Sequence, residues 1–483
     1  MLRLFVLSSI AAFLAGPNPT RAAEAAKPNI LFIIADDASP SFGCYGTKWA
    51  KTPNIDRLAT NGVTFMNSYV PTAKCAPCRA ALLTGRYPWL LEDAANHQNY
   101  FPAKFKAFSE AFAEAGVACG SAGKVWGPGS ATTADGKTRT WGMTHAANKK
   151  GAKDAGPGVA FKQFLANKPA DKPFFYWYGS TNPHRPYKAD AGLDAGKKQA
   201  DIDRVPAFWP DNDTVRRDML DYATEIEAYD AEVGSLLKSL EESGQAANTL
   251  VIVTSDHGMP FPRSKGHNYD ISNRVPLIAC WPNGIVKPGR QVEAFTNHVD
   301  FAPTFLELEG VDGKKSGLET HSGVSFVDLL KDKPAHDRPY CITGRERNDV
   351  YARPGSDTGL GYPIRAIREG AYLYIHNFAP DRWPCGNPEL GFLDTDGSPT
   401  KKFAEDAGDK SPWWQFAFGK RPQEELFDLS KDPDCVKNLA ADDKTRAAAM
   451  KEKLFGLLKA QGDPRLFGKG DAFDNYPTVK PKK

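Results

Sequence analysis

The sequence predicts an α/β protein: a mostly parallel sheet flanked by helices, followed by a smaller α+β domain built on an antiparallel sheet. Three observations carry this. Continuous apolar runs end abruptly in charged residues, as in "NILFIIADD" (29–37) and "NTLVIVTSDHG" (248–258), the pattern of strands buried on both faces. Such runs alternate with segments of helical periodicity, which implies crossover connections and a parallel sheet. At 483 residues the chain exceeds one small core, so a large domain plus a smaller one is expected.

The elements follow in order. After the first strand, "TPNIDRLATNGVTF" (52–65) reads as a short helix and a strand. "FKAFSEAFAEAGVACGSAGKV" (105–125) reads as a helix closed near Gly116, then a strand ending at Lys124. "PFFYWYGSTNPHRPY" (173–187) is an aromatic strand running into a polar loop at His184. Residues 214–244 form the clearest helix: Ile226, Val233, Leu237 and Leu240 recur at helical spacing, and Gly244 stops it. "RVPLIACWP" (274–282) is a strand and "HVDFAPTFLELEG" (298–310) a helix. Beyond residue 335 the pattern changes. "IRAIREGAYLYIHNF" (364–378) reads as a hairpin, "EELFDL" (424–429) as a strand and 444–461 as a closing helix, around a loop-rich stretch holding Trp383, Trp413 and Trp414. The predicted division is a large domain over 28–335 and a C-terminal subdomain over 336–483 that contributes to the pocket.

Residues 1–23 carry Arg3, an apolar stretch from Leu4 to Ala15 and small residues at Ala22 and Ala23. This reads as a secretory signal peptide, too short to span a membrane. No later segment is apolar enough to cross a bilayer. Export to the periplasm or the medium is expected, or to a lysosome-like compartment in a eukaryote. Composition is that of a globular protein, 41% hydrophobic and 25% charged. The net charge of +3 provides no bulk basic field of the kind nucleic-acid binders carry. The eight cysteines are scattered. Only Cys75 and Cys78 form a Cys-x-x-Cys pair, which is open to three simple readings: a redox pair, half of a zinc site or a local disulfide. No second pair completes a four-cysteine zinc site.

In parallel sheets, ligands gather at the carboxyl ends of the strands. Asp36, Asp37, Lys124, His184, Asp256 and His257 all fall there, from positions far apart in sequence. Clustered carboxylates repel unless a cation neutralises them, so Asp36, Asp37 and Asp256 together point to a hard divalent ion. Alone, an Asp-Asp pair would read as a cap or a turn.

"CAPCRAALLTG" (75–85), a Cys-x-Pro-x-Arg separated by four residues from Thr-Gly, resembles the signature of the type I sulfatases. The upstream "ADD" and downstream "SDHG" match the same family. The resemblance runs from "KPNILFIIADD" to "EELFDLSKDPDCVKNLA". Its flavour is that of the heparan N-sulfatase (N-sulfoglucosamine sulfohydrolase) branch, through "TSDHGMPFP", "NPHRPY" and "WWQFAFGKRPQEELFD". It implies an alkaline-phosphatase-like fold, and a Cα-formylglycine made from Cys75 by a formylglycine-generating maturation enzyme. It further implies one calcium ion (Ca2+) held by Asp36, Asp37, Asp256 and His257 with residue 75 beside it. Arg79, Lys124 and Lys265 would neutralise the sulfate and the modified residue, and His184 would protonate the leaving group. The implied reaction is attack on sulfur, departure of an alcohol or amine, then elimination of sulfate. A cation and basic side chains offset charge growing on the transferring group. The substrate expected is a sulfated saccharide cleaved at its non-reducing end. Arg185, His267, Arg345, Arg347 and Asp349 are the residues expected to hold it.

Two positions depart from the family. "GKVWGPG" puts Trp126 where a histidine is frequent, leaving His145 or His267 to stand in. His257 occupies a ligand position that is commonly Asn, and imidazole suits zinc or manganese better than calcium. His298 reads as a buried structural histidine, and Trp413 and Trp414 as packing. Two other functions share part of the pattern. One is a metal-dependent phosphatase or phosphodiesterase of the same superfold, which would use an unmodified Thr or Ser and further histidines. The other is an inactive sulfated-glycan-binding protein.

Overall fold

A computed structural model describes residues 27–145, 156–334, 338–354 and 359–479. The signal-peptide reading of 1–23 and the predicted boundary at 335/336 lie outside the described residues. The larger sheet has eight strands: β1 (Asn29–Ala35), β2 (Val63–Phe65), β3 (Ala118–Gly123), β4 (Thr144–His145), β5 (Phe174–Gly179), β6 (Thr249–Ser255), β7 (Leu277–Cys280) and β8 (Arg290–Val292). Their spatial order is β8-β2-β7-β6-β1-β5-β3-β4. Pairing is parallel except along β7, which runs antiparallel to both β6 and β2.

Side chains alternate along β1 because strand periodicity is two. Ile30, Phe32 and Ile34 enter one core with helices α2 (Cys75–Thr84), α3 (Phe108–Glu114) and α6 (Phe301–Leu308). Leu31, Ile33 and Ala35 enter the other, with α1 (Pro53–Thr60), α4 (Pro157–Asn167) and the long α5 (Asp213–Glu242). Burial on both faces explains why β1 and β6 read as unbroken apolar runs. Asn212 caps α5 by accepting from the Val215 N–H, and this orders the helix that backs the sheet centre.

The second sheet is fully antiparallel, β9 (Tyr340–Arg345), β10 (Ile364–Glu369), β11 (Tyr372–Asn377) and β12 (Glu424–Asp428) in that spatial order. Helix α7 (Lys444–Gln461) covers it through Met450, Leu454 and Leu458. The same cluster includes Ala81, Tyr87 and Trp89, so the C-terminal sheet packs on the end of α2. That contact positions the site.

Among the described residues no helix is long and apolar enough to cross a membrane. All eight cysteines are free thiols.

Candidate active site

Three flush strand ends build the floor. Ala35 pairs with Ser255 and Ile34 with Gly179, so Asp36, Asp37, Asp256 and His257 leave the sheet side by side. Gly123 pairs with Gly179, and a Cβ at Gly179 would lie 1.8 Å from the Lys124 carbonyl oxygen. Only glycine permits that approach, which brings Lys124 to the same edge. Asp37 holds φ at 77°, a left-handed conformation costly for a non-glycine residue. Its N–H donates to Asp256 Oδ1 at 3.1 Å, one of the contacts that fix it.

Helix α2 supplies the wall. Its N-cap Lys74 is extended, and Cys75 is the first helical residue. Pro77 fits the first turn because its missing N–H has no helical acceptor there. At the other end Gly85 adopts φ 68° and donates to the Ala81 carbonyl. A Cβ at Gly85 would meet Ala302 and His321 at 2.9 Å. The Thr-Gly of the motif is thus a helix stop pressed against α6, and Thr84 Oγ1 donates to the Ala80 carbonyl. The two thiols of the Cys-x-x-Cys pair face different partners. Both are buried free thiols, with Cys75 Sγ 3.3 Å from His257 Nε2 and Cys78 Sγ 3.7 Å from His298 Nδ1.

Each carboxylate of the floor has a basic partner. Lys124 Nζ lies 2.7 Å from Asp36 Oδ2, Lys265 Nζ 2.7 Å from Asp37 Oδ2, and Arg79 Nε 2.8 Å from Asp256 Oδ2. Burial works against ionisation at all three. At Asp37, Lys265 and the neighbouring histidines His257 and His184 outweigh it and hold the carboxyl well below its usual range. At Asp256, Arg79 and His257 do the same to a lesser degree. At Asp36 burial and the Asp256 charge prevail and push it up. The Cys75 thiol, against burial and the Asp36 charge, is held well below its ordinary value by Lys124, Lys265 and His257.

Comparison with known proteins decides the family. The Sulfatase family model matches residues 28–311. An ulvan-active sulfatase of Formosa agariphila is 32% identical over 451 residues, 90% of this chain and 81% of its own length. The chain belongs to the sulfatase family. Human N-sulphoglucosamine sulphohydrolase is 25% identical over 459 residues, covering 86% of each chain. Among solved structures, a Bacteroides thetaiotaomicron sulfatase from a locus for the metabolism of multiple glycosaminoglycans superposes with TM-score 0.69 at 18% identity. That match covers 93% of this chain and 99% of the other and bears on fold alone. The resemblance to the N-sulfoglucosamine branch is therefore one among several, and the higher identity belongs to the ulvan-active relative.

The family implies a metal ion and a formylglycine at 75, and the residues present fit both. Ligand atoms of Asp36, Cys75, Asp256 and His257 all lie within 4.8 Å of one another. Asp36 Oδ1 is buried with no hydrogen-bond partner. His257 Nε2 stands 2.9 Å from Asp37 Oδ1, 3.3 Å from Cys75 Sγ and 3.7 Å from Asp256 Oδ1. One ring nitrogen cannot donate to three acceptors; this crowding is that of a cation shell. His257 Nδ1 lies 3.0 Å from the Gly258 carbonyl. Against burial, Asp256 and Asp37 raise the ring's pKa well above its usual value, so a metal ion at Nε2 would take the place of that proton. The Cys75 Sγ stands for the formylglycine hydroxyl that would face this cluster.

His184 stands at the mouth, its side chain 38% exposed, with Nε2 3.9 Å from Asp37 Oδ2. Arg79 is fully buried and donates to Asp256 and to the carbonyls of Lys124 and Ala35; it positions the floor. Four residues expected to hold substrate are engaged by the protein instead. Arg185 bonds Asp218 and the Pro260 carbonyl and stacks on Phe261. His267 lies buried against Cys385 Sγ at 3.2 Å. Arg345 pairs with Asp394, and Arg347 donates to the carbonyls of Asp474, Tyr476 and Pro477. His145 is exposed on β4 and bonds Ser121 Oγ, so neither it nor His267 replaces the imidazole absent at Trp126. Trp126 itself packs on Phe101 and Trp141, and its indole N–H donates to the Ala76 carbonyl of α2 at 2.9 Å.

Three residues absent from the sequence reading line the site. Lys74 Nζ pairs with Asp349 Oδ2 at 2.7 Å, His97 Nδ1 lies 3.0 Å from Asp349 Oδ1, and Asp396 reaches Lys265 at 2.9 Å. Only the position of Lys74, next to Cys75, could have signalled its role.

Proposed function

We propose that this chain is a formylglycine- and calcium-dependent, exo-acting sulfatase that removes a sulfate ester or sulfamate from the terminal residue of a sulfated saccharide. The observation that carries the reading is Cys75. It is the first residue of α2, 2% exposed, and sits beside a carboxylate–histidine cluster flanked by Lys124 and Lys265. A formylglycine there supplies a nucleophile that can release sulfate without a separate ester hydrolysis, and a cation supplies Lewis-acid charge. Asp36, Asp37, Asp256 and His257 would hold the cation. Lys124 and Lys265 bring positive charge to the sulfate oxygens, Arg79 fixes Asp256, and His184 delivers a proton to the departing oxygen or nitrogen.

The exo reading rests on depth. The floor is buried, while the partly exposed side chains are Lys124 at 20%, Asp349 at 20%, Asp396 at 24% and His184 at 38%. A floor reached past such a rim suits a sulfate on a chain end. The relatives' printed activities, on ulvan and on N-sulphoglucosamine, support a saccharide. The signal-like N-terminus supports action outside the cytoplasm, after maturation by a formylglycine-generating enzyme.

The test is mass spectrometry at residue 75, followed by a panel of defined saccharides, N- and O-sulfated, terminal and internal. Conversion of Cys75 with sulfate release from terminal residues is expected. Release from internal residues only rejects exo action; unchanged turnover by Cys75→Ala rejects the mechanism.

A further inference from the structure

Of the residues expected at the sugar, Arg345 and Arg347 are turned inward, while Asp349 keeps a partly exposed carboxylate. Asp349 follows β9, and Asp396 lies in the loop after Phe392; both come from the C-terminal part of the chain. Asp396 meets Lys265 at 2.9 Å, and its carboxylate lies within 4.8 Å of ligand atoms of His184 and Asp37. Asp349 holds Lys74 at 2.7 Å and His97 at 3.0 Å. The two lysines are nearly sealed, their side chains 3% and 4% exposed, while the carboxylates that cover them are 20% and 24% exposed. Around these two lysines the outward groups are therefore acceptors, while Lys124 and His184, 20% and 38% exposed, stand on the sulfate and leaving-group side. The guanidiniums that could offset them, Arg345 and Arg353, both turn inward to Asp394.

We infer that Asp349 and Asp396 form an acidic rim that selects a saccharide residue bearing hydroxyl or amine groups beside its sulfate, and rejects one bearing a neighbouring carboxylate or second sulfate. This rests on the sulfatase reading of Cys75. Asp396, paired with Lys265, and Asp349, shared between Lys74 and His97, each have carboxylate lone pairs left for sugar O–H or N–H donors, since two oxygens offer about four acceptor sites. A second anion placed against it meets like charge at a partly desolvated site, and such juxtaposition discriminates strongly between partners. The sulfate itself is accommodated deeper, where Lys124 and Lys265 lie.

The experiment compares kcat/KM of the wild-type enzyme on matched sugars with the same sulfate position. One is a monosulfated hexose or hexosamine, another its uronate counterpart, and a third its disulfated counterpart. The neutral or amino sugar is expected to be favoured by about tenfold or more, with the ratio shrinking at high salt. Asp396→Asn and Asp349→Asn should each narrow the ratio several-fold, and Asp396→Glu should restore it. A wild type that prefers the uronate or disulfated sugar overturns the inference, as does an unchanged ratio in both folded Asn variants. Should the Asn variants unfold, the wild-type ratio and its salt dependence decide. Hydrolysis of p-nitrophenyl sulfate with inverted sugar preference rejects only this inference. No hydrolysis of any sulfate ester, with residue 75 shown to be converted, rejects the proposed function and the inference together.

Discussion

Arg79 Nε donates to Asp256 Oδ2 across 2.8 Å, and neither side chain retains any exposed surface. The same guanidinium donates to the Lys124 carbonyl at 2.6 Å and the Ala35 carbonyl at 3.4 Å, so one residue of α2 ties together β1, the end of β3 and the loop after β6. Removing one partner of a buried pair leaves an uncompensated charge, at a cost of about 3–5 kcal/mol. Arg79→Met is expected to lose stability on that scale in urea unfolding. Arg79→Lys is expected to recover little, because a point ammonium cannot reproduce the guanidinium fork. A loss under about 1 kcal/mol would show that the pair does not hold the floor.

Metal loading depends on the same floor. Asp36→Asn and Asp256→Asn each remove a negative charge from a shell whose Asp36 Oδ1 has no hydrogen-bond partner. Elemental analysis of the wild type is expected to give about one divalent ion per chain, and each variant far less, with activity falling in parallel. Chelation should lower the melting temperature of the wild type and leave the Asn variants unmoved, since ligand binding stabilises only the chain that binds. Zinc in place of calcium would favour the phosphatase alternative.

Much of this arrangement was legible in the sequence, for reasons that can be named. Apolar runs ending in "ADD" and "SDHG" mark buried strands and their carboxyl ends without reference to the rest of the chain. Helix 444–461, the 364–378 hairpin and the long helix were visible because their periodicity is local. The reversed direction of β7 was not, because a short apolar strand reads the same either way. Lys74, His97 and Asp396 escaped notice because their partners lie up to 275 residues away, and no spacing rule reports such pairs. Arg345 and Arg347 read as sugar-binding residues, yet Asp394 and the carbonyls of residues 474, 476 and 477 engage them. A charged loop gives no local sign that a later segment will close over it.

His298 tests the acid side of stability. It is fully buried, with Nε2 3.3 Å from Thr254 Oγ1, and burial together with the nearby Arg79 pushes its pKa down to about 3. The unfolded chain, near 6.5, therefore binds a proton that the folded chain refuses. Stability rises with pH wherever the unfolded state holds more protons. His298 thus removes stability as pH falls from about 6.5 towards 3, by up to about 1.4 kcal/mol per unit. His298→Asn is expected to flatten the pH dependence of unfolding free energy across that window. An unchanged slope would mean the histidine is charged in the folded protein.

The last prediction separates proton donation from the rest of the chemistry. His184 Nδ1 lies 2.5 Å from the Arg185 carbonyl, which fixes the ring and leaves Nε2 on the side of Asp37 Oδ2, 3.9 Å away. Its side chain is 38% exposed, at the mouth where a leaving group would stand, whereas Lys124 and Lys265 lie on the sulfate side. A general acid contributes about 10²–10⁴-fold when the leaving group is poor. A sugar hydroxyl or amine is poor; a nitrophenolate leaves without help. His184→Ala is therefore expected to cut kcat/KM on a sulfated saccharide by that factor while reducing p-nitrophenyl sulfate hydrolysis far less. Equal losses on both substrates would assign His184 to sulfate binding instead. A loss confined to KM would make it a contact of the sugar.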